Sequence, residues 1–383
     1  MKKTLRVAVI GSGFIGRQHI EAIRRIPGTE VLWVVDNQKE YVEQLAEELY
    51  IPHATDDYRE VLQDERVDIV HNCTPSHLHY EINKAVLEAG KHIYCEKPLT
   101  LTAAESEDLC ALAKQTGLAT GVNFNYRANA MVWEMREQIR QGKSGKPLHV
   151  YGEYLQDWLL YKTDFNWRVD ESMGGSSRAI ADIGSHCFDT AQFVCGQKIT
   201  KIRADMITVH PVRICPSGKS ETFTSGTSEE GTPVEVRSED IAHINVRFAD
   251  GTPGLFYLTQ VCAGKKNGLA LTISGERSAL GWEQETADRL WIGHKDAPNQ
   301  EIYADGGLMQ EGAKHLATLP SGHAVAWHDA LRNAIGSFYG AIRENTWQDG
   351  TPDYADFASA AYVMQLVEAC IESARTGNWV EVE

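Results

Sequence analysis

Long apolar segments are missing from this sequence. It contains no uninterrupted run of about eighteen apolar residues, the length that a membrane-spanning helix needs. The N-terminus enters a predicted strand within a few residues, which leaves no room for a signal peptide. We therefore expect a cytoplasmic protein without a membrane partner.

Positive charge is also scarce. Lysine and arginine total 37 against 53 aspartates and glutamates, so the formal net charge is −16. A surface of this sign repels phosphate backbones and anionic lipids, which argues against nucleic acid as a partner. Any anionic cofactor must then be held locally, by backbone amides and helix dipoles.

Paired cysteines and clusters of metal ligands are absent as well. None of the eight cysteines forms a Cys-x-x-Cys pair, and several lie inside apolar runs, which is typical of reduced, buried thiols. His77 and His79 form a His-x-His pair, but no third and fourth ligands lie at a suitable spacing. We expect no metal site.

At 383 residues the chain is too long for one ordinary core, so two domains are expected. Over residues 1–125, short apolar runs alternate with helical patterns, which predicts a doubly wound, mostly parallel sheet. Residues 126–383 instead carry long runs of period-two alternation, with a hairpin signal at Asp250-Gly251 and two late helices. We predict a second α/β domain built on a mostly antiparallel sheet, with a surface loop over residues 211–233.

The richest motif is a glycine turn between the first strand and the first helix. It reads Gly11-Ser12-Gly13-Phe14-Ile15-Gly16 after the strand Leu5–Ile10. Glycines at this spacing allow a sharp turn, a close approach of backbone to a pyrophosphate and tight packing of helix on strand. The motif in this context predicts a dinucleotide site at a helix N-terminus.

Asp36 ends the second strand, twenty residues after Gly16. A carboxylate at that point accepts hydrogen bonds from both adenosine ribose hydroxyls and repels a 2′-phosphate. The sequence therefore favours NAD over NADP.

Three further strands end in polar residues, where ligands of an open parallel sheet bind. One runs into Thr74, Pro75 and His77, the next into Glu96-Lys97-Pro98, and the last into Asn123 and Tyr126. Far along the chain, Asp182, His186 and Asp189 would share one face of a helix. A carboxylate beside an imidazole raises the imidazole pKa and fixes its orientation, which suits a general acid/base.

Together, the glycine turn, Glu96-Lys97-Pro98 and the pair Asp182 and His186 make the chain resemble the Gfo/Idh/MocA family of oxidoreductases over essentially its whole length. The resemblance implies an N-terminal Rossmann domain and a C-terminal α/β domain whose open sheet makes a homodimer or homotetramer. It also implies NAD(P)-dependent hydride transfer on a sugar, cyclitol or related polyol.

The resemblance assigns roles residue by residue. Lys97 becomes a substrate contact and proton-transfer partner, His186 the acid/base and Asp182 its neighbour. Pro98 is expected to follow a cis peptide. The implied cofactor contacts are Gly11, Gly13, Phe14, Ile15, Gly16, Asp36, Thr74, Pro75, His77, Glu96 and Lys97. The implied substrate contacts are Lys97, Asn123, Tyr126, Trp158, Arg178, Asp182 and His186.

Several alternatives stay open at this stage. Arg178 departs from the family pattern, and it either selects an anionic or hydroxyl-rich substrate or points to solvent. Trp158 and its aromatic neighbours are either sheet core or a sugar-stacking wall. Either Lys97 or His186 takes the proton first. Two other functions compete with the dehydrogenase: an NAD-dependent glycosidase or lyase that borrows and returns hydride, and a non-catalytic NAD or metabolite sensor.

Overall fold

A computed structural model describes residues 4–216, 231–350 and 352–382. Among these residues, no helix is long and apolar enough to cross a membrane. The chain forms two compact units, Met1–Asn125 with Leu331–Tyr362, and Tyr126–Ala330 with Val363–Glu383. Residues 331–362 therefore pack with the first unit, whereas the sequence pattern placed them in the second domain. The amphipathic pattern of a helix predicts that one of its faces packs on an apolar core. It does not identify which of the two domains supplies that core.

The first unit contains a six-stranded sheet in the order β3-β2-β1-β4-β5-β6, in which every pair is parallel. Its strands are β1 (Leu5–Ile10), β2 (Thr29–Val35), β3 (His53–Thr55), β4 (Ile69–Asn72), β5 (His92–Cys95) and β6 (Thr120–Val122). Its connecting helices are α1 (Phe14–Arg24), α2 (Lys39–Glu48), α3 (Tyr58–Gln63), α4 (His79–Glu88) and α5 (Ala103–Thr116). This confirms the predicted parallel sheet. The sequence analysis missed β3 and α3, because three and six residues are too few to show a period.

The centre of this sheet is apolar on both faces. Val7, Ala8 and Val9 of β1 are fully buried, as a strand covered by helices on both sides must be. The helix α5 begins with a capping box, in which the Thr102 side chain accepts from the Glu105 backbone N–H and the Glu105 side chain accepts in return. This capping box fixes the residue at which α5 starts.

The second unit contains a nine-stranded sheet, antiparallel except for one parallel pair, β7 with β12. Its order is β16-β15-β14-β13-β7-β12-β11-β8-β17. The strands are β7 (Pro147–Leu155), β8 (Ile199–Ile207), β11 (Ile241–Phe248), β12 (Pro253–Thr259), β13 (Gly268–Gly275), β14 (Ala279–Glu283), β15 (Arg289–Gly293), β16 (Gln300–Tyr303) and β17 (Val380–Glu381). The helices after β6 are α6 (Ala130–Arg140), α7 (Glu171–Gly174), α8 (Ser185–Cys195), α9 (Trp327–Glu344) and α10 (Phe357–Thr376). The predicted, mostly antiparallel sheet is confirmed.

The expected loop at residues 211–233 is only partly a loop. β9 (Val212–Pro216) and β10 (Gly231–Glu235) pair as an antiparallel two-stranded sheet, and residues 217–230 lie outside the described part of the chain. The sequence analysis missed these strands because each has only five residues, which is too few to give a strong period-two signal.

The two faces of the nine-stranded sheet differ in the elements that pack on them. Helix α8 packs on β7 and β13, and α6 packs on β14 and β15. On the opposite face, paired positions on neighbouring strands place Leu255, Tyr151, Thr272, Gly281 and Trp291 in one row. Leu255 and Trp291 are each 41% exposed. We call this side of the sheet the open face, because both ends of the row are exposed in the described part of the chain.

Candidate active site

Two glycines of the turn are required by close packing. Gly11 has φ +88°, and a Cβ there would lie 2.6 Å from the Cys73 carbonyl oxygen. A Cβ on Gly16 would lie 1.9 Å from the Gly11 carbonyl oxygen. Both positions therefore exclude any side chain, and they bring α1 directly against the end of β1.

Gly13 differs, because a Cβ there would meet no described atom within 4 Å. Gly13 is also the N-cap of α1, and no side chain caps the helix at that position. The first turn of α1 thus presents backbone N–H groups toward open space, as pyrophosphate binding requires. Phe14 begins the helix with its side chain 57% exposed, and Ile15 follows.

Asp36 lies directly after β2. Its Oδ2 accepts hydrogen bonds from the Ser12 backbone N–H at 3.1 Å and from Ser12 Oγ at 2.7 Å. The carboxylate is therefore fixed beside the glycine turn, where a ribose would follow a pyrophosphate. This geometry fits the predicted discrimination in favour of NAD.

The end of β4 adds three candidate cofactor contacts. Thr74 Oγ1 donates to Asn72 Oδ1 at 2.7 Å, and Pro75 precedes a short 3-10 turn that contains His77. His77 Nδ1 is buried without a hydrogen-bond partner in the described residues. A buried, unsatisfied ring nitrogen beside this strand end is consistent with a ligand that completes the site.

Glu96 and Lys97 follow β5, and the peptide between Lys97 and Pro98 is cis, as the resemblance implied. Glu96 is 7% exposed. Its Oε2 accepts from the Lys97 backbone N–H at 3.1 Å, and its Oε1 accepts from Asn123 Nδ2 at 2.6 Å. The Glu96 carboxylate thus holds the backbone that carries the Lys97 side chain.

Burial would raise the pKa of Glu96, but the hydrogen bond and charge of His19, the charge of Lys97 and the Asn123 amide outweigh it and lower the pKa to about 2. Asn123 Oδ1 also accepts from Tyr94 Oη at 3.1 Å. Asn123 is buried, and both ends of its side-chain amide are engaged, one with Tyr94 and the other with Glu96. This disfavours the substrate contact that was predicted for Asn123.

The sequence analysis missed three buried side chains, those of His19, His71 and Tyr339, that are linked to Glu96 by hydrogen bonds. His19 Nε2 lies 3.0 Å from Glu96 Oε1, and His19 Nδ1 lies 2.8 Å from His71 Nδ1. Tyr339 Oη lies 2.8 Å from His71 Nε2. These residues sit on α1, β4 and α9, so no spacing in the sequence could connect them. The only available signal was the placement of histidines inside otherwise apolar segments.

In the second unit, Asp182 lies on a π-helical turn, Ile180–Gly184, that continues into α8. The sequence predicted that Asp182 and His186 share one face of a helix; Asp182 instead lies on the π-helical turn, where α-helical spacing does not hold, while His186 lies in the first turn of α8. Such π-helical turns are rare and occur frequently at functional sites.

The carboxylate of Asp182 contacts two groups that the sequence did not suggest. Gln260 Nε2 donates to Asp182 Oδ2 at 2.9 Å, and Arg168 Nε lies 3.4 Å from Asp182 Oδ1. Gln260 follows β12 and Arg168 lies in a 3-10 turn, so only the tertiary structure brings them to Asp182.

Two tyrosines flank His186. The Tyr126 ring lies edge-on to the imidazole with centroids 4.7 Å apart, and Tyr126 Oη lies 2.8 Å from Tyr154 Oη. Both hydroxyls also donate to Asn267 Oδ1. Burial raises the pKa of Tyr126, and that of Tyr154 still further, so both phenols stay protonated at neutral pH. Tyr126 therefore lies beside His186, and its predicted substrate contact stays a prediction.

Three candidate residues have structural partners. Asp189 is buried and forms a two-point ion pair with Arg127, so its carboxylate is not grouped with Asp182 at the candidate site. Arg178 is fully buried against Asp240, so both expectations for it, substrate selection and solvent exposure, are wrong. Trp158 donates from Nε1 to Gln156 and packs against a small apolar core cluster, which favours the core alternative for this residue.

The Arg178 ion pair belongs to a buried charge cluster. Arg213 also binds Asp240, with Nη2 2.6 Å from Oδ1. Burial would raise the pKa of Asp240, but the two guanidinium groups outweigh it and lower the pKa. Glu239 accepts from the backbone N–H groups of Arg178 and Ile180. The cluster therefore anchors the start of the turn that carries Asp182.

The first unit carries a dinucleotide-binding turn. The second carries a carboxylate and an imidazole four residues apart, Asp182 and His186. These features are typical of a nucleotide-dependent oxidoreductase with two units. The chain belongs to the Gfo/Idh/MocA family. Residues 5–124 match the family described as an oxidoreductase family with an NAD-binding Rossmann fold, and residues 132–280 match the GFO/IDH/MocA C-terminal domain. Both the predicted family and the predicted cofactor, NAD, are confirmed.

Similar proteins match along the whole chain. A levoglucosan dehydrogenase of Pseudarthrobacter phenanthrenivorans is 29% identical over 99% of this chain and 98% of its own length. The crystal structure of an oxidoreductase domain protein from Kribbella flavida has a TM-score of 0.88 at 28% identity and covers 100% of both chains. A levoglucosan dehydrogenase in complex with NADH and L-sorbose has a TM-score of 0.88 at 26% identity, covering 100% of this chain and 99% of its own.

Proposed function

We propose that this protein is an NAD-dependent dehydrogenase that oxidises a secondary alcohol of a sugar, cyclitol or sugar derivative. The observation that carries the substrate class is the match to a levoglucosan dehydrogenase over 99% of this chain. The alternative of borrowed hydride is not favoured, because the named relatives that match the whole chain are dehydrogenases. The sensor alternative is disfavoured by the presence of Lys97, Asp182 and His186, which a sensor does not need.

Oxidation of an alcohol removes a hydride from carbon and a proton from oxygen. NAD, when bound, accepts the hydride. We propose that His186 removes the hydroxyl proton, and that the Lys97 ammonium stabilises the negative charge that develops on the oxygen. Asp182, fixed by Gln260 and Arg168, orients the substrate beside His186.

Glu96 has a separate role in this proposal. Because its pKa is about 2, it remains a carboxylate at neutral pH and does not compete as the acid/base. It binds the Lys97 backbone N–H and would lie near the nicotinamide ribose of a bound cofactor. The proton-transfer groups are therefore Lys97 and His186.

The test is NADH absorbance after the purified protein is mixed with NAD and a panel of anhydrosugars, glucosides, inositols and sugar acids. We expect steady NADH formation with at least one member, and a slower rate when NADP replaces NAD. Bound cofactor without net NADH, together with bond cleavage in a glycoside, would instead establish borrowed-hydride chemistry. Cofactor binding with no turnover of any compound would favour a sensor.

We also propose that the chain forms a homodimer or homotetramer through the open face of its nine-stranded sheet. Leu255 and Trp291 are exposed in one row across that face, and exposed apolar groups aligned in this way favour a partner surface. A second copy of the chain presents the same row, so the contact can be symmetric.

The cysteines support a cytoplasmic location for the proposed enzyme. All eight are free, four of them buried and four partly buried, which suits a reducing compartment. Expression of a fluorescent fusion in intact cells, followed by fractionation, tests this location.

A further inference from the structure

Four side chains in the first unit form a continuous buried chain of hydrogen bonds. It runs from Tyr339 Oη to His71 Nε2 at 2.8 Å, from His71 Nδ1 to His19 Nδ1 at 2.8 Å, and from His19 Nε2 to Glu96 Oε1 at 3.0 Å. Tyr339, His71 and His19 are all fully buried. No water can replace a missing partner in such a chain, so the proton positions are coupled.

The direction of the bond to Glu96 follows from the chemistry of the carboxylate, which can only accept, so His19 Nε2–H donates to it. One proton lies between His19 Nδ1 and His71 Nδ1 and joins the two rings. Burial and the neighbouring His19 lower the pKa of His71 well below its ordinary value, so His71 carries a single ring proton. With that proton on Nδ1, His71 Nε2 accepts from the Tyr339 hydroxyl; with it on Nε2, His71 donates to Tyr339.

The rings are held in place by neighbouring groups. The His71 ring stacks on Tyr94 with centroids 5.0 Å apart, and Tyr94 donates to Asn123, which in turn donates to the same Glu96 oxygen as His19. Two buried arms therefore converge on Glu96 Oε1. The other carboxylate oxygen accepts from the Lys97 backbone N–H.

We propose that Tyr339, His71 and His19 are positioning residues whose connected hydrogen bonds end on Glu96, and that they orient its carboxylate and, through it, the backbone of Lys97. The kinetic consequence rests on the proposed function, in which Lys97 acts on the substrate. The hydrogen-bonded connection does not, because it is a property of the folded protein alone.

The first test is nitrogen NMR of the protein labelled with ¹⁵N in the histidine rings. The resonances are assigned with His19→Gln and His71→Gln variants. We expect His19 to be protonated at Nε2, where it donates to Glu96, and His71 to carry one ring proton. An unprotonated His19 Nε2, or protonation of His71 at both nitrogens, would overturn the proposal.

The second test is Tyr339→Phe, which removes one hydroxyl and leaves the ring. His71 Nε2 then loses its hydrogen-bond partner, so we expect the ¹⁵N resonance of His71 Nε2 to shift while His71 keeps one ring proton. If the enzyme has a measurable substrate, kcat falls about three- to tenfold, the effect of one lost hydrogen bond, while the KM for NAD changes by less than about twofold. Tyr354→Phe is the matched control. Tyr354 is a buried tyrosine of the same unit that packs on Phe338 and does not belong to the hydrogen-bonded group Tyr339, His71, His19 and Glu96.

The outcomes separate the two proposals. If no substrate is found but the NMR shows the expected protons and their response to Tyr339→Phe, the hydrogen-bond chain stands and the dehydrogenase assignment fails. If Tyr339→Phe alters neither the His71 Nε2 resonance nor kcat, the positioning role is wrong even in an active dehydrogenase. An equal loss of kcat in Tyr354→Phe would show that the effect is one of packing and would also overturn it.

Discussion

At the scale of single residues, the same side-chain type takes different roles according to its partners. Glu96, Asp182 and Asp189 are all carboxylates that the sequence suggested for one site or its edge. Asp189 is neutralised by Arg127, Asp182 contacts Gln260 and Arg168, and Glu96 accepts from three donors. Their partners, more than their spacing, decide which carboxylate is available for substrate.

The first prediction concerns His186. Replacement by alanine removes the proposed base, so we expect turnover to fall by about two to four orders of magnitude with NAD affinity nearly intact. His149→Ala, at an exposed histidine of the same unit, is the control and should retain full activity. Steady-state kinetics with NADH fluorescence measures both quantities. An equal loss of cofactor binding in His186→Ala would refute the assignment.

Asp36 tests cofactor choice. Asp36→Ala removes the carboxylate that repels a 2′-phosphate and binds ribose hydroxyls, so we expect the preference for NAD over NADP to fall about tenfold or more. The ratio of kcat/KM for the two cofactors measures it. An unchanged ratio would show that Asp36 does not contact the ribose.

Glu96 gives the chain a predictable response to acid. Its pKa in the folded chain, about 2, lies below its ordinary value of 4.5, so the unfolded state binds the proton more readily. The resulting stabilisation is complete above pH 4.5 and is lost as the pH falls through about 2. We expect Glu96→Gln to remove on the order of 2 kcal/mol of this pH-dependent stability.

Urea unfolding at several pH values between 7 and about 2.5 measures this slope. Glu47→Gln, which removes an exposed carboxylate of α2, is the control and should keep the wild-type pH dependence. If Glu96→Gln and the wild type lose stability in parallel as the pH falls, the Glu96 carboxylate is not selectively stabilised in the folded state.

At the scale of elements, the turn from β1 to α1 combines two kinds of glycine. Gly11 and Gly16 are needed for the chain to fold, because any Cβ there would collide with backbone. Gly13 has no such packing role, because a Cβ there would meet no described atom within 4 Å, and we predict that it serves the ligand instead. On this prediction, the glycine motif encodes fold and function at separate positions.

A pair of variants separates these roles. Gly13→Ala should leave the free energy of unfolding within about 1 kcal/mol of wild type but weaken NAD binding at least about tenfold, because the new methyl group fills the pyrophosphate position. Gly11→Ala should lower the thermal midpoint strongly, since it combines a left-handed φ with a backbone clash. Calorimetry and NADH fluorescence distinguish the two. Full NAD affinity in Gly13→Ala would contradict this location of the pyrophosphate.

At the scale of the whole molecule, α6 and α8 cover one face of the second unit's sheet, while Leu255 and Trp291 are exposed on its open face among the described residues. The Trp291 ring lies against Gly281 and Gly293, because a Cβ at either position would contact that ring. Small residues therefore make room for a flat aromatic surface at this end of the sheet. A flat, partly apolar sheet face of this kind is suited to pairing with a second copy.

The prediction for assembly is a change of mass. Leu255→Glu combined with Trp291→Glu places like charges across the proposed symmetric contact, so we expect the oligomer to dissociate to monomers in light scattering after size exclusion. Tyr50→Glu, at a highly exposed aromatic residue of the first unit, is the control. A wild-type mass in the double variant would exclude this face as the interface.

The sequence by itself determined the family, the parallel and antiparallel sheets and the dinucleotide turn, and the family resemblance implied the cis peptide before Pro98. The sheets and the turn follow from local signals, namely periodicity and glycine spacing, whose meaning depends on few neighbours. The particular roles of Lys97, Asp182 and His186 stay predictions. Only the tertiary structure decided that residues 331–362 join the first unit, that Arg178 pairs with Asp240, and that His19 and His71 meet beneath Glu96. Those contacts join residues dozens to hundreds of positions apart, and buried polar groups take whichever partner packing brings within hydrogen-bond reach.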